Sequence, residues 1–352
     1  MTAKAALARL PVMADVARLA GVSHQTVSRV INDHPNVNAE TRARVKHAII
    51  QLGYRRNTAA RTLVTRQSGI LGVISVGGSH FGPASTIFAI AEAARAGGYF
   101  VNFVSLRGVD RSQMRAALGH LMDAAVDGIV VIAPVDAAID SLRGQAADVP
   151  VVVVAASGVG SETRVAVDQV AGARIATRHL LDLGHQTVFH ISGPSDWLDA
   201  SSRVRGWRAE LEAGGRVAYD VIEGDWSANS GYQAGRRLAP RLKSELDDVT
   251  AVFVANDQMA LGLIRAFHEE GLVVPRDVSI VGFDDQPEAG HFLPPLTTIR
   301  QDFAAIGRRC VSALIEKVRG GEAAPLSPIE PELIVRASTA PPRSRRAPWS
   351  YL

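Results

Sequence analysis

Residues 15–32, Asp15-Val16-Ala17-Arg18-Leu19-Ala20-Gly21-Val22-Ser23-His24-Gln25-Thr26-Val27-Ser28-Arg29-Val30-Ile31-Asn32, spell two short amphipathic helices joined by a tight turn. Val16, Leu19 and Ala20 stand at i, i+3 and i+4 and predict one apolar stripe on the first helix. Gly21 supplies the backbone freedom that a turn needs, and Ser23 is a natural N-cap for the next helix. Val27, Val30 and Ile31 repeat the apolar spacing, which leaves His24, Gln25, Ser28 and Arg29 on an outward polar face. This is the pattern of a helix-turn-helix whose second helix reads DNA.

Working outward, Asn38 is placed to cap a third helix, with Val45, Ile49 and Leu52 on one face and Gly53 ending it. The segment 57–65 follows, too short to be a stable helix without a partner or DNA, and reads as a conditional hinge. Charge separates this head from the rest. Residues 1–67 hold 11 Lys/Arg against 3 Asp/Glu, and the remainder holds 27 against 32. A basic end on an acidic body suits attraction to phosphate at that end.

From Gly69 the texture changes to buried strands alternating with helices. Strands are predicted at 70–76, 100–105, 129–133 and 151–155, with helices at 85–96, 112–125 and 136–145 between them. A second series has strands at 187–192, 217–222, 251–255 and 278–282, separated by helices at 169–183, 200–213, 229–242 and 257–270. Such alternation predicts α/β lobes with parallel sheets covered on both faces, and a ligand crevice at the strand carboxyl ends. The expected organisation is a headpiece over 11–56, a hinge over 57–67, a two-lobed core over 68–339 and an unstructured tail over 340–352.

Composition narrows the class. The chain has 352 residues, enough for two or three cores, and one cysteine, Cys310, which excludes an internal disulfide framework. No stretch reads as a signal peptide, and the longest apolar run, 149–156, is too short to span a bilayer, so the expected location is the cytoplasm. Enzyme chemistry has no foothold. Gly77-Gly78-Ser79-His80 lacks dinucleotide-loop spacing, and no phosphate loop or Gly-x-Ser-x-Gly elbow occurs. His179, His185 and His190 have no companions at metal-ligand spacing and read as surface or strand-end histidines. No cofactor and no metal are expected.

The segment 15–30 resembles the signature of the lactose-repressor family of bacterial transcription regulators, and the resemblance runs from Val12 to about Thr339. In the body, Gly224-Asp225-Trp226-Ser227, Val254-Ala255-Asn256-Asp257-Gln258-Met259-Ala260-Leu261-Gly262 and Pro294-Pro295-Leu296-Thr297-Thr298-Ile299 carry it, nearest to the family's namesake. It implies a helix-turn-helix headpiece, a hinge helix and a two-lobed core similar to periplasmic sugar-binding proteins.

The resemblance also implies roles. His24, Gln25 and Arg29 reach base edges; Gln pairs well with adenine and Arg with guanine. His24 replaces the namesake's tyrosine, which points to a different operator preference. Ser23, Thr26, Ser28 and Asn32 touch phosphates or cap helices, and for Ser23 and Thr26 both readings stand. Asn57, Ala60 and Leu63 fall in the hinge pattern, Leu63 as the minor-groove wedge. Arg56 replaces the usual proline before the hinge.

For the ligand cleft the resemblance points to Arg203, Asn256 and Asp284 as polar ligands and Trp226 as the aromatic face, with Gln258 and Phe303 alongside and His80, Pro83 and Thr86 at the mouth. Asp199 and Ala155 are departures: the namesake has serine and aspartate there, and Asp196-Trp197-Leu198-Asp199 offers a compensating carboxylate and ring from another loop. Each of these has a plainer reading as well. Asn256-Asp257 could cap a helix, a role that falls to Asp257, Asp284-Asp285 could form a turn, and Trp226 could fill a core. The implied partners are near-palindromic operator DNA, a small galactoside-like sugar and a second copy of the chain, without a membrane. The tail lacks the leucine heptads of a tetramer. A corepressor or activator logic, a transport-type sugar-binding protein and an enzyme on the same fold are the alternatives.

Overall fold

The computed structural model describes residues 11–54, 67–77, 80–106, 111–135, 137–138, 140, 149–155, 163–243, 249–324 and 326–343. The chain divides into two compact units, 1–68 and 69–352.

In the first unit α1 (Met13–Ala20), α2 (His24–Ile31) and α3 (Ala39–Leu52) pack around Val16, Ala17, Ala20, Val27, Val30, Val45 and Ala48. The turn and caps follow their residue chemistry. Gly21 and Gly53 end their helices in the left-handed conformation, at φ 62° and 61°. The Ser23 Oγ accepts from the Thr26 N–H at 3.1 Å, and the Asn38 Oδ1 accepts from the Thr41 N–H at 2.7 Å. One expected core residue is misplaced: Leu19 is 46% exposed, and Ala17 takes the inward position. Because α1 must meet both α2 and α3, its buried face centres on small residues that let the partner backbones approach.

In the second unit the first lobe is a five-stranded parallel sheet, ordered β2-β1-β3-β4-β5, from β1 (Ile70–Val76), β2 (Phe100–Leu106), β3 (Gly128–Ile132), β4 (Val151–Val154) and β5 (Thr163–Val165). Helices α4 (Phe81–Ala96) and α5 (Arg111–Asp123) connect its strands. The second lobe is a six-stranded sheet, ordered β11-β10-β9-β8-β6-β7, from β6 (Phe189–Ser192), β7 (Ile222–Glu223), β8 (Ala251–Val254), β9 (Ser279–Asp284), β10 (Thr297–Arg300) and the antiparallel β11 (Glu332–Ile334). Its helices are α6 (Gln169–Asp182), α7 (Leu198–Ala213), α8 (Ala228–Lys243) and α9 (Asp257–Glu269). The near-continuous burial of β1, β3, β8 and β9 matches sheets covered on both faces.

The lobes are not consecutive in the chain. After β10, α10 (Phe303–Val318) returns to the first lobe, where Ile306, Cys310, Val311 and Leu314 join the core beneath β3 and β4. Gly307 lies so close to the Ala89 backbone that no side chain fits between α10 and α4. The chain then crosses back to form β11.

Several expectations need correction. α4 starts at Phe81, a turn earlier than expected, because Pro83 sits in the first turn, where a missing N–H costs no helical bond. The strand expected at 217–222 pairs only at Ile222 and Glu223; it lies at the sheet edge with one neighbour, β6. The helix expected at 136–145 falls mostly outside the described residues. His185 and His190 are buried rather than superficial. The His190 ring stacks on Phe253 at 4.6 Å and its Nδ1 bonds the Phe253 carbonyl, so burial lowers its pKa to about 3 and keeps the ring neutral. The start of the expected tail is held: the Ala340 N–H donates to the Ser279 Oγ at 3.0 Å and Arg343 pairs with Asp277 at 3.2 Å.

Candidate effector cleft and DNA-reading helix

The carboxyl ends of β1, β3, β4, β8 and β9 open on a cleft between the lobes with about 720 Å³ of space, mouth included. Nine of the ten residues expected there line it: His80, Pro83, Thr86, Asp199, Arg203, Trp226, Asn256, Asp284 and Phe303. Gln258 does not. It follows the cleft-facing Asn256 by two residues on the first turn of α9, which carries its side chain round to another face of the helix.

The carboxylates, the amides and the guanidinium come from the second lobe. Arg203, on α7, is fully surrounded: its Nε donates to the Gln169 Oε1 at 2.9 Å, its Nη1 donates to the Ala255 carbonyl, and Nη2 lies 3.7 Å from Asp284. Its guanidinium stacks 3.8 Å above the Phe283 ring. Gln169 donates to Gln301 at 2.8 Å, and Gln301 donates to Asp284 at 2.7 Å, so four side chains close one network. Asp284, the last residue of β9, has φ 108°, and Asp285 has φ 53°. That turn divides their tasks. Asp285 faces away and binds Arg300 at 2.7 Å and Arg336 at 2.6 Å, while Asp284 is aimed into the cleft.

Asn256 both lines the cleft and caps α9: its Oδ1 accepts from the Met259 N–H at 2.9 Å and its Nδ2 donates to the Trp226 carbonyl at 3.1 Å. Capping therefore falls to Asn256, not Asp257. The Asp257 carboxylate is buried instead between the Gln286 N–H, at 2.8 Å, and the Thr298 hydroxyl, at 2.6 Å. It ties α9 to the sheet.

Electrostatics follow from burial. Desolvation raises Asp284 to about 6 against the opposing pull of Arg203 and Gln301. Burial also raises Asp199, opposed by Arg203, and lowers Arg203, opposed by Asp284, Asp199 and Asp257. His80 is lowered by burial, with Asp225 opposing. Among the described residues, Asp199 has no hydrogen bond or ion pair, so its carboxylate is available to a ligand. It stands on α7 near where Ala155, at the end of β4, leaves an apolar wall.

The opposite side, from Ile132, Pro134, Val154, Val167, Phe303 and Ile306, is apolar. Sequence reasoning missed two polar lining residues, Gln169 and Gln301. They belong to no local motif: they meet each other across 132 positions and link Arg203 to Asp284. Trp197, the ring that the sequence offers together with Asp199, lines the cleft.

On the first unit, His24, Gln25 and Arg29 are exposed on α2, Ser28 is half-buried there, and Asn32, the exposed residue after Ile31, ends the helix. The hydroxyls of Ser23 and Thr26 lie 2.9 Å apart within the cap, so capping is realised, and Ser23 also remains exposed. Asn57, Ala60 and Leu63, and the neighbouring Arg56, lie outside the described residues.

A helix-turn-helix unit joined to a two-lobed core with a built cleft defines a DNA-binding regulator rather than an enzyme. Residues 12–57 match the bacterial regulatory proteins, lacI family, and residues 177–339 match the periplasmic binding protein-like domain. The lactose operon repressor of Escherichia coli (strain K12) is 35% identical over 342 residues, covering 95% of this chain and 92% of that protein. The crystal structure of the lac repressor dimer bound to operator and the anti-inducer ONPF superposes with a TM-score of 0.84 at 32% identity, covering 94% of this chain and 100% of that one. A complex of the transcriptional regulator CelR with cellobiose gives 0.69 at 32% identity, covering 93% and 99%. This chain belongs to the lacI family and is a sequence-specific DNA-binding transcription regulator.

Proposed function

We propose that this regulator is a repressor of sugar-utilisation genes, released from its operator by a small galactoside-like saccharide in the cleft. The observation that carries the effector reading is the combination of Asp199, Asp284, Asn256 and Arg203 on one wall with Trp226 and an apolar wall opposite. Sugars present hydroxyl fans on their edges and C–H faces above and below, and such a lining suits both. The solved relatives bound to ONPF and to cellobiose support a saccharide. With alanine at 155, Asp199 supplies a carboxylate from the other lobe, which points to a hydroxyl pattern different from that of the namesake's ligand.

The DNA arm of the proposal is a cytoplasmic homodimer on a near-palindromic operator. His24, Gln25 and Arg29 read bases, Ser23, Thr26, Ser28 and Asn32 meet phosphates, and Asn57, Ala60 and Leu63 form a hinge in the minor groove. Among the described residues no helix is long and apolar enough to cross a membrane. Sugar binding would favour the lobe arrangement that separates the hinges, lowering operator affinity by differential binding to two states. Operator release against a panel of mono- and disaccharides tests both identity and sign. Release by one saccharide is the expected result; tightening would assign a corepressor, and indifference to every sugar would remove the saccharide reading.

A further inference from the structure

Trp197 belongs to the second lobe by sequence but is seated on the first. It is the N-cap of α7, and its ring packs against the cores of both lobes. On the first-lobe side it meets the His80 ring edge-on, with centroids 5.2 Å apart. It also lies against Gly77, where an added Cβ would come within 2.9 Å of the indole. On its own side it meets Trp226 edge-on at 5.4 Å. The next residue continues the crossing. The Leu198 N–H donates to the Pro134 carbonyl at 2.7 Å, and the Leu198 side chain is buried in the first-lobe core with Val135 and Ala155. Asp199, whose carboxylate has no partner among the described residues, is the residue after that.

We propose that Trp197 is a positioning residue of the cleft: a cross-lobe latch that fixes the lobe arrangement and with it the placement of Asp199. The juxtaposition gives the latch its leverage. One helical end holds, in three successive residues, an aromatic plug in the opposite lobe, a backbone bond to it, and the free ligand acceptor. A rigid helix cannot shift Asp199 toward or away from a ligand without unseating the plug, so the engaged latch fixes where a ligand meets that carboxylate, whether or not the cleft is occupied. Edge-to-face aromatic contacts and a buried indole favour the engaged position. The latch itself needs no sugar, so its failure and that of the saccharide reading are separable.

The test measures lobe separation in the full-length protein without any effector. Spin labels are placed at Arg115→Cys on α5 and Arg237→Cys on α8, both exposed, while Cys310 is fully buried and stays unlabelled. Labelled chains are diluted with unlabelled ones, and the distance distribution is read by double electron–electron resonance. The wild type and Trp197→Phe are expected to give one narrow distribution, because phenylalanine keeps an edge contact with His80. Trp197→Ala should give a broader distribution shifted to longer distance, and His80→Ala should do the same from the other lobe. The double variant should widen no further than Trp197→Ala alone, since both remove one contact. A Trp197→Ala distribution superimposable on the wild type, or a wild type already broad, would overturn the latch. If Trp197→Ala does not fold, an unchanged distribution in His80→Ala overturns it equally.

Discussion

Gln301 holds the carboxylate of Asp284 at 2.7 Å, yet burial still raises that carboxyl to about 6. The hydrogen bond and Arg203, 3.7 Å away, therefore offset only part of the desolvation cost. An acid whose folded pKa is raised contributes stability that is fully present below its ordinary value, 3.8, and lost as pH rises through the folded one. Between pH 4 and pH 7 the stability of Asp284→Asn should thus improve relative to the wild type by on the order of 2 kcal/mol. Urea unfolding at both pH values checks this; a difference independent of pH counts against a buried, titrating Asp284.

Arg203→Ala should do more than block a ligand. It strips Gln169, the Ala255 carbonyl and Asp284 of a partner at once, leaving a buried carboxylate uncompensated. Loss of one member of such a buried pair costs about 3–5 kcal/mol. Thermal melting of the core should fall markedly, and Arg203→Lys should rescue little because an ammonium cannot span the same fork. An Arg203→Ala core as stable as the wild type would show that the network does not hold the fold.

Asp199→Asn is the cleaner probe of the cleft, since the carboxylate supports no other described side chain. Operator affinity and melting should stay unchanged, while the saccharide concentration for half-release should rise about tenfold, the loss of one charge-assisted hydrogen bond of ~1.5 kcal/mol. Titration of release with the active sugar of the panel reads it. An unaltered midpoint would place the ligand away from α7.

Two substitutions on the reading helix separate capping from DNA contact. Ser23→Asp keeps an acceptor for the Thr26 N–H but adds negative charge, so headpiece stability should hold while affinity for all DNA falls. Arg29→Ala should instead weaken cognate binding by about 1–3 kcal/mol with little change on random DNA. Parallel binding titrations on the two DNAs check both, and equal losses for Arg29→Ala would remove its base-reading role.

The thiol of Cys310 should be silent in the native protein. Burial pushes it far above the ordinary thiol range, in a core of Ile306, Val311 and Leu314. Ellman's reagent should release one equivalent only after unfolding; prompt reaction without denaturant would show that α10 leaves its seat.

How much of this was written locally in the sequence depends on the distance over which each feature is decided. The headpiece was legible because Gly21, Ser23, Asn38 and Gly53 act on neighbours three or four residues away. The alternation of strands and helices was legible for the same reason. Leu19 was misread because helical spacing says which residues share a face but not which face two partners will cover. Asp257 was misread as a cap because adjacent Asn and Asp are equivalent until the strand partner of one, Thr298, is known. Of the cleft, the residues inside motifs were found, although Gln258 turns away from it. Gln169 and Gln301 were not, since each acquires its task only from a residue in another element.

The return of residues 303–318 to the first lobe makes dissection of the core a poor strategy. A fragment stopping at Arg300 would retain all five strands of the leading sheet yet leave its underside bare where Ile306, Val311 and Leu314 belong, and would aggregate through that greasy surface. A fragment starting at Gln169 would carry the same helix with nothing to cover. Neither half can be expressed as a free-standing binding module; the core is one foldable object threaded through twice.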